Sequence, residues 1–223
     1  MLDRAYQWID DRLGIDPIIR DVVDHPVPEH VNPAIHPRSI VYCFGGLTFF
    51  IFTLLITTGI FLTMYYVPTP DHAYDSVRYI TDELTLGSIV RGIHHWSASG
   101  IVIMVVLHML RVYAQGAYKA PREMNWMVGV GLLMVVMGFG FTGYLLPWDQ
   151  KAYWATTVGT KMASQVPVVG HYLLLILRGG EDLGAVTLAR FYSFHIWFLP
   201  GAAVTLLGLH FLMVRRQGIS GPL

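Results

Sequence analysis

Four long apolar stretches, at residues 40–66, 89–114, 126–146 and 190–214, alternate with polar connections along the chain. Each holds about 20 residues or more, enough at ~1.5 Å per residue to cross a ~30 Å hydrocarbon layer. The pattern therefore predicts an all-α protein, a four-helix transmembrane bundle. Ahead of the first span, Leu2, Tyr6, Ile9 and Leu13 stand against Asp3, Arg4, Asp10 and Asp11. This amphipathic spacing suits an N-terminal interfacial helix along the membrane surface, and a soluble N-terminal helix would read the same way. The expected division is an N-terminal surface segment at 1–39 and a membrane domain at 40–223. The connection at 147–189, between the third and fourth spans, is too long for a plain turn. Its apolar and aromatic stretches at 153–162 and 171–177 predict short surface helices.

Composition agrees with a membrane protein: of 223 residues 54% are hydrophobic and 13% charged, and mean hydropathy is +0.49. Formal charge is zero, so no nucleic-acid partner is expected. Cys43 is the single cysteine, which excludes an internal disulfide and any CxxC motif. The acid-rich start lacks a basic-then-apolar leader, so no cleaved signal peptide is expected and the first span should direct insertion. Nine Lys and Arg residues fall on the side of the two termini and the loop of Arg111, Lys119 and Arg122, against six on the other side. That bias predicts cytoplasmic termini, with the second and fourth spans both running from outside to inside.

The candidate chemistry lies in those two spans. His94 and His108 are fourteen residues apart, and His195 and His210 fifteen. At ~100° per residue, these intervals return a side chain to within ~40° and ~60° of its starting face, ~21–23 Å along the axis. Ionisable groups at such depth are costly and are usually kept for function. Parallel spans pair His94 with His195 near the outer face and His108 with His210 near the inner face.

Two imidazoles alone do not complete a zinc site, and no Cys, Asp or Glu lies within a turn of these histidines. A porphyrin supplies four equatorial nitrogens, so two axial histidines complete its iron. Room for a flat macrocycle is offered by Gly45 and Gly59 in the first span and Gly129 and Gly143 in the third, again at fourteen-residue intervals. Close helix packing through small residues is the plainer alternative. Arg91, Arg111, Arg190 and Arg215 stand three to five residues from the histidines, as propionate partners or as topology-setting charges. His95 points ~140° away from His108 and is excluded as the paired ligand. His25, His30, His36, His72 and His171 fall outside the spans. A filled iron coordination sphere leaves no substrate position, so electron transfer is the expected role.

The runs Tyr42-Cys43-Phe44-Gly45-Gly46, Arg91-Gly92-Ile93-His94-His95-Trp96-Ser97-Ala98-Ser99, Lys119-Ala120-Pro121-Arg122-Glu123, Gly143-Tyr144-Leu145-Leu146-Pro147-Trp148-Asp149-Gln150 and Arg216-Gln217-Gly218-Ile219-Ser220-Gly221-Pro222-Leu223 resemble cytochrome b6, the split cytochrome b of b6f-type complexes, over almost the whole chain. The fifteen-residue interval also matches that branch, the mitochondrial interval being fourteen. The resemblance implies a subunit of a quinol–cytochrome c or quinol–plastocyanin oxidoreductase carrying two b-type haems on His94, His195, His108 and His210. It implies quinol oxidation outside, with one electron passing to a Rieske iron–sulfur protein and the other through the haems to an inner quinone-reduction site, contributing to proton motive force. Implied partners are a second-half cytochrome b subunit of the subunit IV type, a Rieske protein and a c-type cytochrome, in a homodimeric complex.

The same resemblance gives Cys43 a single thioether bond to a third haem near the inner site, where a small buried hydrophobe is the plainer reading. It sets Asp21, with Arg215, near quinone reduction, and the run beginning at Gly143 along the quinol-oxidation pocket; Pro147 and Trp148 also suit a helix stop and an interfacial anchor. His95 and the insertion at 33–39 depart from plant-type proteins, which have Arg at the first and lack the second. They point to the menaquinol-oxidising complexes of Gram-positive bacteria, hence to a bacterial cytoplasmic membrane, with a thylakoid as the alternative. The chain has no PEWY run, which belongs to the second-half subunit, so it is not expected to be active alone. Two other readings are a dihaem anchor of a hydrogenase or formate dehydrogenase and a transporter with histidines along its path. Cys43 and the segment beginning at Gly143 argue against the anchor, and bound haem would exclude the transporter.

Overall fold

The computed structural model describes Arg4, Tyr6, Gln7, Asp10 and residues 43–218. Arg4, Tyr6, Gln7 and Asp10 are helical, and Asp21 lies outside the described residues. The chain divides into an N-terminal unit and a membrane unit that begins at Cys43. Every regular element among the described residues is helical. The membrane unit consists of α1 (Phe44–Thr63), α2 (Ala73–Asp82), α3 (Gly87–Ala114), α4 (Glu123–Leu145), α5 (Gln150–Ser164), α6 (Gly170–Arg178), α7 (Ala185–Ser193), a π-helical turn (Phe194–Phe198) and α8 (Leu199–Gln217). Four of its helices are long and apolar enough to cross a membrane: α1, α3, α4 and the continuous Ala185–Gln217, with mean hydropathies of 2.0, 1.7, 1.9 and 1.8.

In hydrocarbon a backbone must satisfy its own polar groups, which selects helix for these segments. Their hydroxyls follow the same rule: Thr48, Thr53, Thr57 and Thr142 each donate to the carbonyl four residues back. The spans pack in two pairs, α1 on α3 and α4 on α8. A buried layer at mid-depth combines Phe52, Ile101 and Ala203 with Val136 and Phe139 of α4. Phe52, Ile101 and Val136 each lie seven residues from the candidate positions on either side of them in sequence. This layer separates two levels of the bundle.

One end of the bundle carries α2, α5 and α6. There Ala73, Leu145, Leu188 and Phe191 form a second buried cluster with Tyr66 and Trp148 against it. The Tyr66 hydroxyl donates to the Leu146 carbonyl at 2.7 Å, and burial holds its phenol well above the usual tyrosine range, so it remains a donor. The Asp149 side chain caps α5 by accepting from the Ala152 amide at 2.8 Å. Arg178 is buried at 4% exposure and ties α5 to α6 by donating to the Thr160 hydroxyl and the Thr157 carbonyl, at 2.8 and 3.0 Å.

The two short helices expected after the third span are present as α5 and α6. The first connection also holds α2, which the apolar pattern did not predict: only three of its ten residues, Ala73, Ser76 and Ile80, are buried. The fourth span begins at Ala185 instead of 190.

Candidate functional site

The histidines meet as two cross-bundle pairs. The rings of His94 and His195 are 6.4 Å apart between centres, and so are those of His108 and His210. The N-terminal histidine of α3 thus faces the N-terminal histidine of the fourth span, so the two spans run parallel. His95 is exposed and packs edge-on against Trp96. His72 and His171 are exposed at the helix-rich end, and His25, His30 and His36 lie outside the described residues.

A fifteen-residue interval matches a fourteen-residue one because of the π turn. His195 lies inside it, and the Leu199 amide bonds the Phe194 carbonyl five residues back. Pro200, lacking an N–H and clashing with the carbonyl four residues back in an α-helix, follows immediately. The wider turn absorbs one residue, returning His195 and His210 to one face. Such turns are frequent at functional sites.

Each imidazole rests on one of the four glycines. A Cβ would meet Cε1 of His195 at 2.7 Å on Gly143, of His108 at 3.2 Å on Gly45, of His94 at 3.4 Å on Gly59 and of His210 at 3.9 Å on Gly129. Gly131 and Gly138 face leucine side chains instead, Leu206 and Leu199. The fourteen-residue glycines therefore mark where rings are seated.

Two threonines adjoin these glycines. Thr58 Oγ1 lies 2.9 Å from His94 Nδ1, and Thr142 Oγ1 lies 3.0 Å from His195 Nδ1. Sequence reasoning passed over both, although each stands immediately before a glycine of the repeated interval.

Among the described residues, no group of three or more His, Cys, Asp or Glu side chains could hold a metal ion. Neither pair thus meets the ligand count of a protein zinc site. The gap does suit one metal between two rings. Two metal–imidazole bonds of about 2 Å, with about 1.1 Å from each nitrogen to its ring centre, span a little over 6 Å. The missing Cβ atoms let each imidazole lie close against the backbone of a neighbouring helix. His210 Nδ1 is buried, and the Asn125 carbonyl is an acceptor beside the ring. The donor set therefore fits haem iron at both levels.

Around the pairs, Arg91 and Arg111 are half-buried one turn from His94 and His108, and Arg215 is half-buried five residues beyond His210. Arg190 donates to the Leu175 and Ile176 carbonyls at the end of α6. Cys43 is exposed at the start of α1, two residues before the glycine that seats His108. Beside the His94 and His195 level, an apolar cavity of about 280 Å³ opens between α3, α4 and α5, lined by Val102, Val136, Phe141, Tyr144, Ala155 and Thr156. The buried Thr156 hydroxyl has no hydrogen-bond partner among the described residues.

Comparison with known proteins matches this arrangement. Residues 22–218 fit the family model described as Cytochrome b/b6/petB. The chain is 58% identical over 224 residues to the menaquinol:cytochrome c reductase cytochrome b subunit of Geobacillus thermodenitrificans, covering 100% of both chains. It is 54% identical to the subunit of that name from Bacillus subtilis, again over 100% of both. With cytochrome b6 of Synechocystis it shares 48% over 220 residues, 99% of this chain and 96% of that one. Among solved structures, a hyperthermophilic respiratory Complex III superposes with a TM-score of 0.85 at 33% identity. That match covers 97% of this chain and 56% of the other. Sequence, histidine geometry and fold agree, and the chain belongs to the cytochrome b/b6 family.

Proposed function

We propose that this chain is the electron-transfer subunit of a quinol-oxidising complex of the bc or b6f type, with menaquinol as the expected donor. The observation that carries the proposal is the pair of equal 6.4 Å gaps between imidazoles, each ring seated on a glycine. His94 and His195 would hold one b haem on the outer side, and His108 and His210 a second on the cytoplasmic side. Bis-imidazole haem iron supplies reversible one-electron transfer and keeps no position for substrate. The mid-depth layer of Phe52, Ile101 and Ala203 keeps water out between the two levels. Arg91, Arg111 and Arg215, with those Arg190 donors not spent on α6, are the cations for propionates.

The apolar cavity beside the outer pair is the proposed quinol pocket. Its aliphatic and aromatic walls suit an isoprenoid quinol ring, and the unpartnered Thr156 hydroxyl offers one polar contact. Cys43 is the proposed thioether link to a third haem facing an inner quinone site, to which Asp21 and Arg215 would contribute. The complex would be dimeric and include a second-half cytochrome b subunit, a Rieske protein and a c-type cytochrome. It would sit in a bacterial cytoplasmic membrane with the termini of this chain inside.

Redox difference spectra of the purified subunit test the central reading. Two b-type components are expected, and a protein free of iron porphyrin refutes it in favour of a histidine-lined transporter. A haem stain after denaturing electrophoresis and acid-acetone extraction tests Cys43. Stain that survives extraction and disappears in Cys43→Ala is expected; complete loss from the unmodified chain removes the third haem.

A further inference from the structure

The cavity beside the outer histidine pair is bordered by two glycines that seat no imidazole, Gly140 and Gly159. On α4 its wall includes Met137, Gly140, Phe141 and Tyr144, which stand three, four and seven residues after the first and so share one helical face. Gly140 lies within that face, and a Cβ there would meet nothing from the surrounding side chains and helices within 4 Å. Gly159 stands one turn beyond Ala155 and Thr156, the α5 residues of the wall. It carries the edge of Phe141: an added Cβ would lie 2.6 Å from Cε2 and 3.1 Å from Cζ of that ring. Another side of Phe141 is closed, because its ring packs at 5.4 Å between centres against Phe191, which is fully buried with Leu145 and Leu188. A ring pushed off Gly159 must travel about 0.8 Å to reach an ordinary 3.4 Å contact, and the open space on its border is the cavity. Both glycines therefore hold the cavity wide. One leaves the α4 wall bare, and the other lets Phe141 lean onto α5.

We propose that Gly140 and Gly159 are specificity-determining residues that give this cavity the breadth of a fused two-ring naphthoquinol headgroup and favour it over a one-ring benzoquinol. This rests on the quinol-pocket reading above. At about 280 Å³ the cavity is at the small end of ligand sites, so it encloses one headgroup and leaves an isoprenoid tail outside. In an apolar pocket one methylene gained or lost changes discrimination about tenfold or more, and each glycine withholds one such group from the wall. The fused second ring is rigid and cannot fold away from a narrowed wall. A single ring with small substituents is shorter in the same plane and loses less.

The test is steady-state quinol oxidation by the purified complex, with oxidised cytochrome c as acceptor and two donors, a dimethylnaphthoquinol and a dimethylbenzoquinol. The unmodified complex is compared with Gly140→Ala, Gly159→Ala and Thr156→Val. In each alanine variant KM for the naphthoquinol is expected to rise about tenfold and KM for the benzoquinol much less, so the ratio of their kcat/KM values falls by nearly that factor. An unmoved ratio, or an equal loss for both donors, overturns the proposal. Gly140→Ala decides by the same criterion if Gly159→Ala fails to assemble, since its new methyl group displaces no neighbour. Thr156→Val separates this proposal from the reading beneath it. A KM raised there but unmoved in the alanine variants leaves the pocket in place and overturns the role of the glycines. KM values for both donors unmoved in all three variants refute the pocket itself.

Discussion

Alanine at each of the four ring-seating glycines should produce a graded response. On Gly143 the new Cβ would stand 2.7 Å from His195 Cε1, so the ring must retreat by about 0.7 Å to reach the ordinary contact limit of 3.4 Å. The ring cannot move freely, because Thr142 holds its Nδ1 and Phe139 packs edge-on at 5.4 Å. Overpacking of this kind costs ~1–3 kcal/mol. At ~1.4 kcal/mol per decade, that is roughly a five- to hundredfold loss of haem affinity at the His195 level. Gly45→Ala, at 3.2 Å, and Gly59→Ala, at 3.4 Å, should be progressively milder. Gly129→Ala meets His210 only at 3.9 Å and gains up to ~1 kcal/mol of helix propensity, so it should be neutral or slightly stabilising. Haem content of each level, resolved by redox titration after purification at graded detergent exposure, reads the series. If Gly129→Ala proves as damaging as Gly143→Ala, or Gly143→Ala depletes the His108 and His210 level instead, the seating argument is wrong.

Four further outcomes follow from the geometry. His108→Ala should eliminate the inner b component and spare the outer one in difference spectra; an unchanged spectrum contradicts the pairing. Thr156→Val should leave both haem signals intact while weakening quinol use, seen as a several-fold rise in KM for a short-chain menaquinol, because the cavity loses the buried Thr156 hydroxyl. Arg178→Leu removes the buried donor to Thr160 and Thr157 and should cost ~3 kcal/mol, measured as earlier thermal release of the α5 and α6 region to proteolysis. Tyr66→Phe deletes only the bond to the Leu146 carbonyl and should cost ~1 kcal/mol in the same assay.

The sequence by itself determined the four spans, the two short helices after the third and the matching intervals of the four histidines and four glycines; that the glycines seat the imidazoles, where the sequence reading gave them to the macrocycle, came from the structure. The spans and intervals were legible because a hydrocarbon environment leaves helix as the backbone solution, and a helix converts residue intervals directly into depth and face. Only the tertiary structure decided how fourteen residues in one span match fifteen in another. The π turn at His195 is a local widening ahead of Pro200, invisible to a reading that assumes a constant ~100° per residue. It also decided which polar groups the rings use: Thr58 and Thr142 reach histidines 36 and 53 residues away, and Arg190 turns to carbonyls of α6. Such contacts depend on how separate helices are rotated against one another. That rotation comes from packing around Phe52, Ile101 and Ala203, a layer assembled from residues of three different spans.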